Sequence, residues 1–283
     1  GAVDFYQQAK RKDLKPIIGC EMYIAPGSRF DRKANSRTGK DCYNHLLLLA
    51  ENEIGYQNLV RLTTAAHLEG CYYKPRIDKE LLEAHHEGII AFSGCLASEI
   101  PQAIIRDDPD KARAALDWFK QLFGKERFFL ELQNHGLNEQ AKVNAQLIPW
   151  AKEFDLNLVA TNDVHYIERD HSHAHDALIC IGTQTHLSDP NRMNYAPEQF
   201  YLRSADEMAA LFSEVPEAVR NTMAVAEQCN VEIELGKLHY PVFEPPEGFT
   251  GEGYLRHLMT DGLEKRYGIK AKDKGGAYEI RSI

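Results

Sequence analysis

Short apolar runs alternate with amphipathic stretches along the first 165 residues of the chain. Five of these runs are bounded by Gly, Asn, Asp or Pro, which is the pattern of buried strands separated by turns. The five strand candidates are KPIIGCEMYIAP, NHLLLLAEN, GIIAFSG, RFFLELQ and LNLVATND. Since helical patterns separate them, the order predicts an α/β fold with a parallel sheet, and a barrel is one common way to close such a sheet.

The helices between these strands are marked by their end signals. In DDPDKARAALDWFKQLFG, Asp108 can cap the helix, Pro109 takes the first helical position and Gly124 ends it. A further helix is predicted in NEQAKVNAQLIPWAKEFD, where Pro149 should kink or shorten it.

Beyond residue 165 the pattern becomes mainly helical. Ser204 and Glu207 have the spacing of a capping box, and PEAVRNTMAVAEQC forms a second amphipathic pattern. Residues 241–253 concentrate Pro and Gly, so we predict a linker there, between a domain at 1–240 and a mostly helical segment at 254–283. That segment is too short for a core of its own, and we expect the chain to stop inside a second domain.

Composition and charge narrow the class of protein. The 283 residues are 43% hydrophobic and contain neither an apolar run of membrane-spanning length nor a signal-peptide pattern, so a cytoplasmic location and no membrane partner are expected. Six cysteines without a C-x-x-C pair are typical of reduced thiols. The net charge of -9 argues against a surface that captures nucleic acid by its own field. The basic stretch RFDRKANSRTGK is either a solvated loop or a local phosphate contact.

Groups that bind metals stand beside four of the strand candidates. Glu21 follows PIIGC, His45 opens LLLLA, Cys95 follows IIAFSG, and Asp163 with His165 follows LVATN. An extended backbone would point the last two side chains the same way. Carboxylate, imidazole and thiolate together suit zinc or manganese better than calcium. Each residue also has a plain alternative, as a cap, a structural histidine or an inert buried thiol.

These segments carry a resemblance to a known family. GAVDFYQQAKRKDLKPIIGCEMYIAP, HLLLLAENEIGYQNLVRLTTAAHLEG, GIIAFSGC, FFLELQNHG, LVATNDVHY and AHDALICIGT follow one another in the order seen in the polymerase and histidinol phosphatase (PHP) domain of bacterial DNA polymerase III alpha subunits. The resemblance implies a distorted parallel (βα) barrel whose strand ends hold a cluster of Zn²⁺ or Mn²⁺ ions. It also implies that residues 254–283 begin the polymerase palm region.

Matched motif by motif, the resemblance makes all five candidates metal ligands: Glu21, His45, Cys95, Asp163 and His165. It implies metal-dependent phosphoester hydrolysis with Glu21, Asp163 and His165 as catalytic residues, of which a 3′ to 5′ exonuclease activity would be one form. The family's opening motifs, a His-x-His and a Thr-Asp-His-Gly, are absent from this sequence, so the expected domain lacks its first strand and an incomplete cluster is expected.

For the longer polymerase, the resemblance implies DNA synthesis with Mg²⁺, with DNA, dNTPs, a proofreading subunit and a sliding clamp as partners. Two alternatives stay open at this point. One is a non-catalytic scaffold that supports the polymerase and docks the proofreading subunit. The other is a free-standing phosphatase that acts on a small metabolite.

Overall fold

The computed structural model describes residues 1–34, 40–195, 198–238, 240–268, 273–274 and 277–278. The chain divides into two compact units, Gly1–Ile233 and Glu234–Ile283. The division lies a few residues before the linker predicted at 241–253. Within the segment 254–283 expected to begin a palm region, residues 269–272, 275–276 and 279–283 lie outside the described residues.

A six-stranded sheet in the order β3-β1-β2-β4-β5-β6 forms the centre of the first unit. The strands are β1 Gly19–Ile24, β2 Asn44–Ala50, β3 Arg76–Ile77, β4 Ile89–Phe92, β5 Phe128–Leu132 and β6 Asn157–Ala160. The predicted α/β class is confirmed, and each of the five strand candidates contains one strand. Within the described residues β3 and β6 are the two edges of the sheet, which is therefore open there. The two residues of β3 are too few to give a sequence pattern.

Two of the five pairings correct the expectation of a parallel sheet. β1 pairs with β2, and β2 with β4, in antiparallel orientation, whereas β1–β3, β4–β5 and β5–β6 are parallel. A parallel connection needs a crossover element, usually a helix. The described residues between β1 and β2 contain only the three-residue 3-10 helix Lys40–Cys42, so the chain folds back instead. As a result, the amino end of β2 lies beside the carboxyl end of β1.

Both faces of the sheet are buried, but by different elements. One face carries the main core, to which Leu46 and Leu48 of β2 contribute. It packs against helices α2 (Glu53–Leu68), α4 (Glu99–Ile105), α5 (Pro109–Phe123) and α6 (Asn138–Glu153). The other face carries a smaller cluster that includes Phe92 and Phe129, and Val225 of helix α9 (Pro216–Gln228) covers it. Burial on two faces explains why the strands appear as nearly continuous apolar runs.

The helices follow their sequence signals closely. Asp108 accepts a hydrogen bond from the Lys111 backbone, Pro109 is the first helical residue, and Gly124 ends α5 with φ +73°. α6 continues past Pro149 to Glu153, so this proline does not shorten the helix. The helices of the first unit are α1 Ala2–Arg11, α2 Glu53–Leu68, α3 Lys79–Ala84, α4 Glu99–Ile105, α5 Pro109–Phe123, α6 Asn138–Glu153, α7 Ser172–Thr183, α8 Ala205–Leu211 and α9 Pro216–Gln228.

The predicted capping box of α8 is present, with Ser204 and Glu207 bonded reciprocally. In the second unit, α10 spans Gly251–Tyr267 and is capped by the side chain of Thr250. It begins at Gly251, two residues before the predicted end of the linker, because this cap supplies a partner for the backbone N–H of Gly253. The short strands β7 Asp273–Lys274 and β8 Ala277–Tyr278 pair with each other. No helix of the described chain is long and apolar enough to cross a bilayer.

Candidate metal centre

Three of the five predicted ligands come together on the smaller-cluster face of the sheet. Nδ1 of His45 lies 2.8 Å from Oε1 of Glu21. Sγ of Cys95 lies 3.8 Å from the same carboxylate oxygen and 3.6 Å from Nδ1 of His45. One donor atom from each residue falls within 4.8 Å of the others, which is close enough to hold a single ion. Among the described residues, this is the one group of His, Cys, Asp and Glu that meets this distance criterion.

The antiparallel pairing of β1 and β2 explains how His45 reaches the other two residues. His45 is in register with Tyr23, and Glu21 lies two residues before Tyr23 on β1, on the same face. If β2 ran parallel to β1, the start of β2 would lie at the other end of the strands. Because β2 runs in the reversed direction, His45, the residue before LLLLA, lies beside the carboxyl ends of β1 and β4.

Cys95 is placed by a tight turn at the end of β4. Gly94 has φ +83°, and a Cβ there would lie 2.0 Å from Oγ of Ser98, so only glycine fits without displacement. The turn is fastened to β2 because the backbone N–H of His45 donates to the carbonyl of Ala97 at 3.1 Å. The turn and the start of β2 therefore form one unit that fixes the thiol beside the imidazole.

The three groups differ in charge. The hydrogen bond from His45 holds the pKa of Glu21 below its ordinary value, so this carboxylate is ionised at neutral pH. Burial raises the pKa of Cys95 to about 12, with neighbouring carboxylates adding to the effect. The metal-free thiol is therefore protonated. A cation would have to displace its proton, as is usual when cysteine becomes a ligand.

Asp163 and His165 lie close by but outside this three-residue group. Nδ1 of His165 is 2.7 Å from the carbonyl of Asp163 and 4.0 Å from its carboxylate. The predicted common direction of the two side chains depended on an extended backbone, and the backbone is not extended at Asp163. β6 ends at Ala160, and Asp163 has φ +44°, a left-handed conformation that aspartate tolerates better than most residues. Both side chains remain within electrostatic range, because His165 lowers the pKa of Glu21 and Glu21 raises that of Asp163.

A buried polar network that the sequence did not reveal supports the loop carrying Asp163. His135 is fully buried, and the amide nitrogen of Gln140 lies 2.8 Å from its Nδ1. This leaves Nε2–H to donate to the carbonyl of Asn162 at 2.9 Å. Arg203 donates to the side-chain oxygen of Asn162 at 2.6 Å. These contacts hold the residue immediately before Asp163, and the position of His135 just past the strand in FFLELQNHG is the sequence signal for them.

Glu131, on β5, is a second buried group that the sequence did not single out. Its Oε1 accepts hydrogen bonds from Thr161 at 2.5 Å and Gln133 at 3.1 Å, whereas no partner within the described residues reaches its Oε2. Burial raises the pKa of Glu131 to about 7, and the charge of Asp163 adds to the shift. In FFLEL, Glu131 shares a strand face with Phe129, and this pairing with a large apolar residue could have marked that face as buried.

In the described part of the basic stretch at residues 29–40, two arginines form contacts within the fold. Arg29 pairs with Asp78 at 3.0 Å and with Glu69 at 2.7 Å. Arg32 donates to the backbone carbonyl of Glu69 at 2.6 Å. These contacts favour a structural role for the two arginines over a phosphate contact, and Arg37 lies outside the described residues.

Comparison with known proteins agrees with this geometry. Residues 1–135, which contain Glu21, His45 and Cys95, match the sequence profile of the family described as "PHP domain". Residues 1–135 belong to the PHP domain family. It is 43% identical over 274 residues to the DNA polymerase III subunit alpha of Treponema pallidum, 47% identical over 274 residues to that of Thermus aquaticus, and 45% identical over 275 residues to that of Deinococcus radiodurans.

These alignments cover 94 to 96% of this chain but only 20 to 23% of the relatives, so the PHP chain spans less than a quarter of their length. PHP domains are metal-dependent, and the Glu21, His45 and Cys95 group is a possible ligand set for such an ion.

Proposed function

We propose that this chain is a metal-dependent phosphoesterase domain belonging to a bacterial DNA polymerase III alpha subunit. One observation carries the proposal: Glu21, His45 and Cys95 bring their donor atoms within 4.8 Å of one another in a chain that matches the PHP domain. In chain order these residues are 24 and 50 positions apart. Only the fold brings them together.

The chemistry of the donor set fits a transition metal. A carboxylate, an imidazole and a thiol match Zn²⁺ or Mn²⁺, whereas Ca²⁺ and Mg²⁺ prefer oxygen ligands alone. The hydrogen bond between His45 and Glu21 already aligns a nitrogen and an oxygen at 2.8 Å. A divalent cation bound between these groups would take the place of the proton shared by His45 and Glu21 and of the proton on Cys95.

We assign Glu21, His45, Cys95, Asp163 and His165 as ligands of a Zn²⁺ or Mn²⁺ cluster, and Glu21, Asp163 and His165 as the residues nearest the reacting atoms. When bound, such ions make water a nucleophile at neutral pH and stabilise the leaving oxygen of a phosphoester. Asp163 and His165 sit on a loop held by the His135 and Arg203 contacts, so their side chains are oriented before substrate arrives. The substrate proposed is a 3′-terminal phosphodiester of DNA.

For the longer protein we propose DNA-directed DNA synthesis that uses dNTPs and Mg²⁺, in the cytoplasm. DNA, a proofreading subunit and a sliding clamp are the proposed partners. Support comes from the relatives named DNA polymerase III subunit alpha, which align with nearly the whole of this chain. The net charge of -9 agrees with a domain that leaves most of the grip on DNA to other parts of the protein.

The test is to measure metal content and nuclease activity in the same samples. The full chain, loaded with Zn²⁺ or Mn²⁺ and then dialysed, is expected to retain metal and to release nucleotides from the 3′ end of a single-stranded oligonucleotide. Glu21→Gln, which keeps the shape but removes the charge, is expected to lose both properties. His67→Asn, on an exposed position of α2, is the matched control and should keep both. A wild-type chain that retains no metal, or a Glu21→Gln variant that retains all of it, contradicts the proposal.

The scaffold function remains the second candidate because Asp163 and His165 lie outside the three-residue group in the described chain. A scaffold predicts that metal, if retained, raises the melting temperature without producing hydrolysis. It also predicts that Asp163→Ala leaves the nuclease signal at background, equal to wild type. Phosphoesterase activity predicts instead that Asp163→Ala abolishes a measurable wild-type rate.

A further inference from the structure

An open cleft of about 510 Å³ lies directly beside His165. Its walls come from Arg169 in the 3-10 helix Arg169–His171 and from the first turn of α7. The described residues Arg192, Asn194, Tyr195, Glu198 and Gln199 also line it. The ring of Tyr195, which lines the cleft, is centred 4.3 Å from the ring of His165 and 5.3 Å from that of His175. The cleft therefore opens next to a candidate ligand, although none of the Glu21, His45 and Cys95 group lines it.

Tyr195 stands between the cleft and the candidate metal centre. The contact of its ring with the ring of His165 joins the cleft to one of the proposed ligands. Its ring packs edge-on against Phe200 with centroids 5.0 Å apart. One side of the ring is thus held by the protein, while the residue also lines the open space.

The cleft has the size and the aromatic lining of a site for one nucleotide. Small-molecule sites typically occupy about 300 to 1,000 Å³, and 510 Å³ admits a single nucleotide rather than a duplex. The ring of His175 also lines the cleft, with its centroid 5.3 Å from that of Tyr195, and adds a second flat surface. Bases stack on such rings with little dependence on sequence.

The two arginines that line the cleft differ in whether they form an ion pair. Arg192 is neutralised by a bidentate pair with Asp176, with both contacts at 2.6 Å. Arg169 has no carboxylate within ion-pair distance among the described residues, and its guanidinium lies 6.0 Å from the ring of Tyr201. Glu198 on the same wall limits the attraction for long polyanions. The guanidinium of Arg169 can therefore bind one phosphate group.

We propose that this cleft binds the terminal nucleotide of the substrate, with the base stacked on Tyr195 and the phosphate held by Arg169. The proposal rests on the phosphoesterase function and adds to it a nucleotide subsite next to the scissile bond. The subsite selects a phosphorylated nucleoside over inorganic phosphate, because stacking contributes part of the affinity. It also favours a single-stranded end, since a paired and stacked base cannot lie against Tyr195.

The binding test needs no metal. Deoxyadenosine 5′-monophosphate is titrated into the full chain in EDTA, and the dissociation constant is measured by calorimetry. Tyr195→Ala is expected to weaken binding about tenfold, in line with one lost stacking contact, and Tyr195→Phe to leave it within a factor of two, about 0.4 kcal/mol. The exposed Arg106→Gln variant is the matched control for Arg169→Gln. Arg169→Gln should weaken binding of the monophosphate but leave binding of deoxyadenosine unchanged.

The outcomes separate this inference from the proposed function. Wild-type binding that fails, or that is unaffected by both Tyr195→Ala and Arg169→Gln, overturns the subsite whether or not the chain hydrolyses DNA. Binding that weakens as expected in a chain without nuclease activity keeps the subsite and contradicts the phosphoesterase. Circular dichroism melts check folding, and Tyr195→Phe supplies a variant with nearly the same packing if Tyr195→Ala is unstable.

Discussion

Replacing Glu131 with glutamine tests the electrostatics of the buried network beside the candidate metal centre. The carboxyl group is buried and its pKa rises from 4.5 to about 7 in the folded chain. Folding therefore favours the protonated form. The stability associated with protonation is fully present below pH 4.5 and is lost as the pH rises through 7. Glutamine keeps the shape and an acceptor for Thr161, but it cannot ionise.

The magnitude follows from the size of the shift. The pKa difference of 2.5 units between 4.5 and about 7 corresponds to roughly 3 kcal/mol of unfolding free energy. This is the cost of ionising Glu131 in the folded chain, and it is reached in full only above pH 7. At pH 5 the penalty is about 1 kcal/mol. Relative to wild type, Glu131→Gln should thus be more stable by about 3 kcal/mol at pH 8 and by about 1 kcal/mol at pH 5.

Urea unfolding of the first unit in EDTA, followed by circular dichroism at both pH values, measures this difference. Glu227→Gln on α9 removes an exposed carboxylate and serves as the control for a general change of charge. It should show no such pH dependence relative to wild type. An advantage of Glu131→Gln that is equal at pH 5 and pH 8, or that is larger at pH 5, refutes the assignment of a raised pKa to this group.

Three further predictions address the turn, the core and the thiol. Gly94→Ala should cost about 2 kcal/mol or more in urea unfolding and should weaken metal binding, because φ +83° and Ser98 exclude a Cβ; no change in either contradicts the turn geometry. Leu48→Ala should cost about 2 to 5 kcal/mol, since this side chain is fully buried in the main core; a loss below 1 kcal/mol speaks against that packing. Zn²⁺ affinity above pH 8 should rise about tenfold per pH unit in competition with a chelator, because the pKa of Cys95 is about 12 and one proton must leave. Cys95→Ser should remove this slope, and an unchanged slope would show that the thiol is not a ligand.

The sequence predicted the strands and helices well where several signals agreed. Asp108, Pro109 and Gly124 mark the two ends of α5, and each acts as its residue type suggests. The direction of β2 was harder to predict, because apolar alternation is the same whichever way a strand runs. His45 precedes its apolar run, whereas the other candidate ligands follow theirs. Only the antiparallel pairing shows that this position reaches Glu21.

The supporting network of the site could not be predicted, for a different physical reason. His135 and Glu131 act through hydrogen bonds to Asn162 and Thr161, which lie 27 and 30 residues away in the chain. No local period encodes such contacts. The left-handed conformation of Asp163 likewise depends on how its loop is held rather than on the strand that precedes it.

Cobalt substitution tests the central claim most directly, since Co²⁺ bound to a thiolate gives a charge-transfer absorption band. The account predicts that the full chain titrated with Co²⁺ develops this band, that Cys95→Ala and Glu21→Gln abolish or strongly weaken it, and that Cys71→Ser, at an exposed cysteine away from the site, retains it. A wild-type chain without the band, or a band that persists in Cys95→Ala, would contradict a metal centre built from Glu21, His45 and Cys95.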